Sequence, residues 1–460
     1  MKVAKFGGSS VASAAQFEKV AKIVMEDAER KVIVVSAPGK RFKEDIKMTD
    51  MLISLAEEVK TGGDITEPLR RVVDRYASIA NELGLDSSIL DRIEHDVKEL
   101  IRSLHNEEPT RLLDAIKASG EDNNAKLMAA YLNQLGIEAH YVNPKEAGIF
   151  VTDEPGNARV LPESYKKIWK LRERTGVLVV PGFFGYSLEG KIVTFSRGGS
   201  DITGSILAAG VKAELYENFT DVDSIYSVNP MIVPNPNEIK ELTYREMREL
   251  SYAGFSVFHD EALEPVYKLG IPVCVKNTNN PQAAGTYIVA KRNYHDSPVV
   301  GIASDDGFCN IHVDKYLMNR EIGFGRKLLH ILEDEGISYE HTPSGIDNIS
   351  VIIRENQFDQ EVEQRVFDRI QKELEVDNVY VERGLALVMV VGEGMNQSVG
   401  IAAKATEAFA RANVNLEMIN QGSSEVSMMF GVKADGVEKA VKALYNVYFN
   451  ELMTISYSNI

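Results

Sequence analysis

The chain is poor in cysteine: Cys274 and Cys309 are the only two in 460 residues, and neither belongs to a Cys-x-x-Cys pattern. A disulfide framework is therefore not expected, and a reducing cytoplasm is the simplest setting. No run approaches the roughly 20 apolar residues needed to cross a bilayer. The opening Met-Lys-Val-Ala-Lys-Phe-Gly-Gly has no charged leader followed by an apolar stretch, so no signal peptide is expected. Positive charge is also short, with 51 Lys and Arg against 68 Asp and Glu and a formal charge of -17. That balance argues against nucleic acid or an anionic membrane as a partner, although a cleft can still concentrate local positive charge. The Gly-x-x-x-x-Gly-Lys-Ser/Thr loop is missing, as is a Gly-x-Gly-x-x-Gly after the first strand. The eight histidines form no His-Glu-x-x-His pair and no spacing suited to zinc.

At 460 residues the chain exceeds one ordinary core, so two or three domains are expected. Strand 3–6 runs into a glycine turn and then a helix carrying Phe17, Val20, Ile23 and Val24. The apolar stretch 32–35 reads as a buried parallel strand. Residues 50–135 are mostly helical, with one helix expected over 122–134. Strands are predicted at 177–180, 192–195, 213–216 and 273–275, and helices at 160–173, 201–209, 242–252 and 260–268. This alternation is that of an α/β domain with helices over a mainly parallel sheet. A break is expected near 291–298.

A faint internal repeat follows. Ile337 matches Val414, Gly345 matches Gly422 and Ser350 matches Ser427, each pair 77 residues apart. Helices at 325–335 and 400–412 open the two copies and helices at 359–374 and 436–447 close them, so each reads βαββα. Met453–Tyr457 is expected to be a strand that completes the sheet of an earlier copy.

Three strand-end turns carry phosphate-handling chemistry. In Lys5-Phe-Gly-Gly-Ser-Ser10, Gly7 and Gly8 let the backbone approach an anion. Ser9 and Ser10 can cap the next helix, and Lys5 can cover transferring phosphoryl oxygens. In Ser196-Arg-Gly-Gly-Ser-Asp201, Arg197 can clamp a carboxylate with two parallel hydrogen bonds, and Gly198 and Gly199 expose amides. Ser200 or Asp201 can cap the following helix, or Asp201 can orient a phosphoryl acceptor or the catalytic lysine; Gly210 is the expected helix breaker. In Thr220-Asp-Val-Asp-Ser-Ile-Tyr226, Asp221 and Asp223 form a hard-oxygen pair suited to a nucleotide or its magnesium ion, and Tyr226 can stack on a base. Glu121 reads either as a helix-start acid or as the receiver of a substrate amino group.

Together these marks resemble the aspartate kinases of the amino acid kinase superfamily. The marks are Lys5-Phe-Gly-Gly-Ser-Ser-Val-Ala12, Val35-Ser-Ala37, Thr49-Asp-Met-Leu52, Gly120-Glu121, Phe195-Ser-Arg-Gly-Gly-Ser-Asp201, Thr220-Asp-Val-Asp223 and Asn413-Val-Asn-Leu-Glu-Met-Ile-Asn-Gln-Gly-Ser-Ser424. The resemblance implies a three-layer αβα sandwich of carbamate-kinase type over 1–295 and two ferredoxin-like α+β ACT domains. The first of these would span 298–380 with 450–460, and the second 381–449. It also implies ATP-dependent phosphorylation of L-aspartate to 4-phospho-L-aspartate, on the route to lysine, threonine, methionine and diaminopimelate, with Mg2+ bound alongside the nucleotide. By motif position, Lys5 and Asp201 would be catalytic, while Ser36, Thr49, Glu121, Arg197, Gly199 and Ser200 would bind aspartate. Lys5, Gly7, Gly8, Ser9, Thr220, Asp221, Asp223 and Tyr226 would bind the nucleotide. Met318, Gly323, Ser338, Glu340, Ser344, Asn415 and Gln421 would serve an effector, lysine or threonine or both, and the ACT pair would form a homodimer or larger homo-oligomer. Asp347 or Glu340 could receive an effector's ammonium.

Two positions depart from the resemblance. Met231 and Ser256 stand where relatives commonly carry basic residues, and Lys212 or Lys276 are the candidate replacements. The rival readings are a kinase for another amino acid such as glutamate, and an amino-acid sensor with an inactive kinase domain.

Overall fold

A computed structural model describes residues 1–104, 107–255, 257–258, 260–294, 297–422 and 426–450. Two compact units emerge. The first holds Met1–Ile225, Glu238–Ser251 and Ser256–Arg292; the second holds Tyr226–Asn237, Tyr252–Phe255 and the chain from Asn293 onward.

The first unit is built on eight strands: β1 (Lys2–Phe6), β2 (Arg30–Val35), β3 (Ala139–Tyr141), β4 (Val177–Pro181), β5 (Leu215–Thr220), β6 (Glu241–Thr243), β7 (Val273–Asn277) and β8 (Thr286–Val289). Their spatial order is β6-β8-β7-β5-β1-β2-β4-β3, and every neighbouring pair is parallel except β7 with β8. Both faces of the sheet are covered, which is why β2 and β4 read as unbroken apolar runs.

One face is covered by α1 (Ala14–Glu26), α2 (Met48–Thr61), α3 (Thr66–Glu82), α4 (Ser88–Ser103) and α5 (Pro109–Gln134). Phe17, Leu52, Tyr76, Ile93 and Met128 close there on Ala4, Phe6, Ile33 and Val35. Side chains alternate along β1, so Lys5 faces the opposite layer. That layer includes α6 (Gly199–Gly210), which is buried along almost all of its length. Arg30 and Glu217 lock β2 to β5 across β1 with two parallel hydrogen bonds of 2.7 and 2.9 Å, both side chains being buried. Removing either partner would strand a buried charge, at a cost of about 3–5 kcal/mol.

Helix α5 corrects the expectation of a helix starting at 122. It begins at Pro109 and runs for 26 residues, so Gly120 and Glu121 lie in its interior. Gly120 is there for packing: a Cβ on it would come within 2.8 Å of Leu52 on α2. The helix-start reading of Glu121 falls with this.

The second unit carries β9 (Gly301–Asp314), α7 (Phe324–Asp334), β10 (Tyr339–His341), β11 (Asn348–Arg354), α8 (Gln360–Leu374), β12 (Asn378–Val391), α9 (Ile401–Arg411), β13 (Met418–Asn420), β14 (Ser427–Lys433) and α10 (Val437–Tyr445). This is two βαββα copies in one sheet of order β10-β11-β9-β12-β14-β13, joined by the long antiparallel pair β9 and β12. Each copy has its own core, Leu328, Ile331, Val366 and Ile370 in the first and Ala405, Phe409, Val441 and Leu444 in the second.

The 77-residue spacing holds for the first strand and first helix of each copy but not for the hairpin. Ile311 corresponds to Val388, whereas their ladder partners Val351 and Phe430 stand 79 apart. Ser350 is therefore the counterpart of Met429 and not of Ser427. A two-residue slip leaves every side chain on its original face, so the apolar pattern does not betray it. The expected strand 453–457 lies outside the described residues, as do residues 423–425 of the second glycine-serine turn.

Candidate active site

The C-terminal ends of β1, β2 and β5 meet the starts of α5's inner stretch and α6. Lys5, near the end of β1, is 7% exposed, and its Nζ lies 2.5 Å from Asp201 Oδ1. Asn218 on β5 donates to the same oxygen at 2.7 Å. Asp201 sits in the first turn of α6, whose cap is Gly198 in the left-handed region at φ 74° with no side-chain hydrogen bond. Neither Ser200 nor Asp201 therefore caps the helix, and Asp201 is free to hold the lysine. Gly210 is likewise no breaker: α6 includes it, and Lys212 takes the left-handed turn beyond.

The glycine turn after β1 also differs from expectation. Gly8–Val11 form a short 3-10 helix, and α1 starts only at Ala14 with Ser13 before it. Ser9 and Ser10 are thus not the cap of α1; Ser10 Oγ accepts a 2.7 Å bond from Thr278. The Gly7 amide donates to Phe219 at 3.0 Å, and Gly39 donates to the Gly8 carbonyl at 2.9 Å. That second contact joins the turn after β1 to the loop after β2.

Sequence reasoning missed what holds this loop. Arg75 on α3 is 3% exposed and donates to the carbonyls of Gly39 and Ile46 and to Asp45. Arg41 pairs with the same carboxylate and, with Arg75, holds Asp45 far below the ordinary carboxylate range. Asn124 was missed as well; its amide donates to the Ser36 carbonyl at 2.7 Å. Ser36 itself donates from its amide to Phe6. Thr49 stands half-buried in the first turn of α2.

Glu121 projects from α5, 6% exposed. Burial pushes its carboxyl up to about 8, against smaller opposing pulls from backbone donors, Ala37 among them, and from Lys117. Arg197 is exposed, between Ser196, which bonds Glu261 at 2.5 Å, and the α6 cap. Gly199 and Ser200 are buried beneath it, against the strained residue Phe183 at φ 77°. Phe183 is held in that conformation by Thr203, which accepts from its amide, and by Phe195, which donates to its carbonyl.

Thr220 ends β5 and bonds Asp221, which is exposed; Asp223 accepts a 2.7 Å bond from Asn277. Tyr226 belongs to the other unit, as does Met231, which is 91% exposed. Ser256 lies outside the described residues. Lys212 is excluded as a phosphate contact, because it follows the far end of a 12-residue helix, about 16 Å along the axis from Asp201. Lys276 stands near the C-terminal end of β7, beside Phe219 in the ladder. A cleft of about 1080 Å³ lined by Phe195, Ile202, Tyr244 and Tyr267 contains none of the residues nominated above.

In the second unit, the turn 342–347 is tied to the segment before α7. Asp347 accepts from Lys315 and Leu317, and Ile346 from Asn319. Met318 is buried there and Gly323 caps α7 at φ 79°. Ser338 bonds Gln357, and Ser344 bridges to Ile349. One oxygen of the Asp347 carboxylate accepts from the Leu317 amide, and Glu340 has a long 3.5 Å ion pair with Arg354. In the second copy Asn415 bonds Glu417 and Gln421 is exposed.

The model of the amino acid kinase family matches residues 1–277, and an ACT domain model matches 388–448. Aspartokinase 3 of Bacillus subtilis is 61% identical, over 98% of this chain and 99% of that protein. Chloroplastic aspartokinase 2 of Arabidopsis thaliana is 30% identical, over 97% of this chain and 84% of its own. Among solved structures, the aspartate kinase of Clostridium acetobutylicum superposes with a TM-score of 0.86 at 40% identity, covering 97% of this chain and all of that one.

Proposed function

Because the chain belongs to the amino acid kinase family, and within it to the aspartokinases, we propose that the Lys5, Asp201, Glu121 and Arg197 constellation is its active site. The enzyme transfers the γ-phosphoryl group of ATP to the side-chain carboxylate of L-aspartate, under allosteric control through its ACT repeats. The observation that carries the site assignment is the buried Lys5–Asp201 pair at the end of β1, beside the glycine turn.

In the reaction a carboxylate oxygen bonds to the γ-phosphorus as the bond to the bridging oxygen breaks, and ADP leaves with that electron pair. The nucleophile is already ionised, so no general base is needed, and catalysis is positioning plus charge neutralisation. Lys5 covers the transferring oxygens, held in place by Asp201. The amides of Gly8 and Ser9 line the phosphates, the Gly7 amide being spent on the Phe219 carbonyl, with Thr220, Asp221 and Asp223 toward the nucleotide. Glu121 receives the substrate ammonium and Arg197 the α-carboxylate, with Ser36, Thr49, Gly199 and Ser200 around them. No group of three or more His, Cys, Asp or Glu among the described residues could hold a metal alone. Mg2+ would ride on the nucleotide phosphates, with Asp221 or Asp223 as the candidate protein carboxylate.

The effector would be lysine or threonine, lodged against the tied turn 342–347 of the first copy, near Met318, Gly323, Ser338 and Ser344. A homodimer through the ACT repeats and a cytoplasmic location complete the reading; no helix among the described residues is long and apolar enough to cross a membrane.

ADP release should depend on aspartate, and glutamate should not replace it. Lysine or threonine should depress the rate. Turnover with glutamate alone, or none with aspartate, would overturn the assignment. Glu121 sets a second expectation. An ammonium needs the ionised carboxylate, and its raised pKa keeps Glu121 largely protonated below pH 8. The aspartate kcat/KM should therefore climb up to tenfold per pH unit toward about 8 and then level, since this profile reports the free enzyme. Glu121→Gln should lose that limb; a wild-type profile flat through neutrality would remove Glu121 from the role.

A further inference from the structure

We propose that Lys117 is a third charged contact of the acceptor pocket, its ammonium holding the side-chain carboxylate of aspartate while Arg197 takes the α-carboxylate and Glu121 the ammonium. This rests on the aspartokinase reading above. Helix α5 sets Asp114, Lys117 and Glu121 three and four residues apart on one face. The Lys117 side chain is only 17% exposed, and its one ion pair among the described residues is a long 3.8 Å contact with Asp114.

Asp114 is already committed elsewhere. It accepts from the Gly156 amide at 2.9 Å and from the Thr194 amide and hydroxyl at 2.8 Å each. It thereby anchors the strand end that leads into Arg197. The Lys117 ammonium instead lies 5.1 Å from the ring centroid of Phe183, the strained residue packed against Gly199. It is thus within electrostatic reach of Glu121 and over the residue packed against the start of α6.

The charge pattern fits the substrate. Lys5 is neutralised by Asp201 and the Asp114 carboxylate is taken up by its Gly156 and Thr194 donors, which leaves two cations, Arg197 and Lys117, and one carboxyl, Glu121, that an incoming ammonium would ionise. Aspartate carries the complement, two carboxylates and one ammonium. A mostly buried lysine whose ion pair is this long is costly, and an incoming carboxylate offsets that cost. In the transfer Lys117 keeps its proton and holds one carboxylate oxygen while the other attacks phosphorus. It also lessens repulsion between that carboxylate and the γ-phosphate.

The test uses the full-length protein and initial rates with aspartate and ATP varied separately. Lys117→Met should lower the aspartate kcat/KM about 10²-fold, with the ATP KM within about threefold, and Lys117→Arg should recover about tenfold of the loss. The second readout is inhibition by (S)-2-aminobutyrate, which keeps the α-groups and replaces the reacting carboxylate by methyl. Its inhibition constant should be the same in wild type and Lys117→Met, whereas a collapsed pocket would weaken it as much as it weakens aspartate. An aspartate kcat/KM within twofold of wild type, or equal losses for aspartate and the analogue, overturns the role of Lys117. A wild-type protein that does not turn over aspartate overturns the aspartokinase reading and this inference with it.

Discussion

Lys5→Met is expected to lower kcat about 10³-fold, roughly 4 kcal/mol of transition-state stabilisation, while both KM values stay within a few-fold. The reason is where the charge sits. Lys5 is almost fully buried at the end of β1, its Nζ fixed by Asp201 at 2.5 Å and turned toward the glycine turn. A cation held that rigidly needs no reorganisation as negative charge shifts during transfer. Its removal costs most where that charge develops, and kcat reads this loss directly. Asp201→Asn should give a smaller loss, because the lysine survives but loses its anchor. The double variant should fall little below Lys5→Met, since the two residues act as one unit. Unchanged kcat in Lys5→Met, measured by coupled ADP release at saturating substrates, would exclude the transition-state role.

Arg197→Ala should raise the aspartate KM about 10²-fold and leave the ATP KM within about threefold. A two-pronged guanidinium contact with a carboxylate contributes about 2–3 kcal/mol, which is this factor. Arg197 is exposed at the mouth of the site, so the free protein loses little when it is truncated. Lys at this position should restore only part of the affinity, because a point charge cannot reproduce the fork. Equal changes in both KM values would mean that Arg197 serves the nucleotide or the fold of the loop, and would end its assignment to the α-carboxylate.

The strand-end turns were legible because their signals are local. A short branched strand, two glycines and an adjacent Lys or Arg are contiguous in the chain, and the sheet merely brings their ends together. The resemblance drew on those same contiguous marks. The capping roles of Ser9, Ser10, Ser200 and Asp201 were misread for a related reason. A serine or aspartate before a helical pattern is a good cap in isolation, but here a 3-10 turn intervenes in one case and a left-handed glycine caps in the other. The repeat was visible while its register was not, because a slip of two residues preserves strand alternation.

By itself, then, the sequence determined the α/β unit, the two βαββα copies and the contiguous Lys5 and Arg197-to-Asp201 turns, since apolar periodicity and glycine pairs act over a few residues. Only the tertiary structure decided that Glu121 is an interior helix residue with a raised pKa, and that Arg75 ties down the loop after β2. It also decided that Lys117 lies over the Phe183 ring within electrostatic reach of Glu121, and that Lys212 is far from Asp201. Burial, desolvation and the pairing of charges far apart in the chain depend on which elements pack together, and no local pattern encodes them.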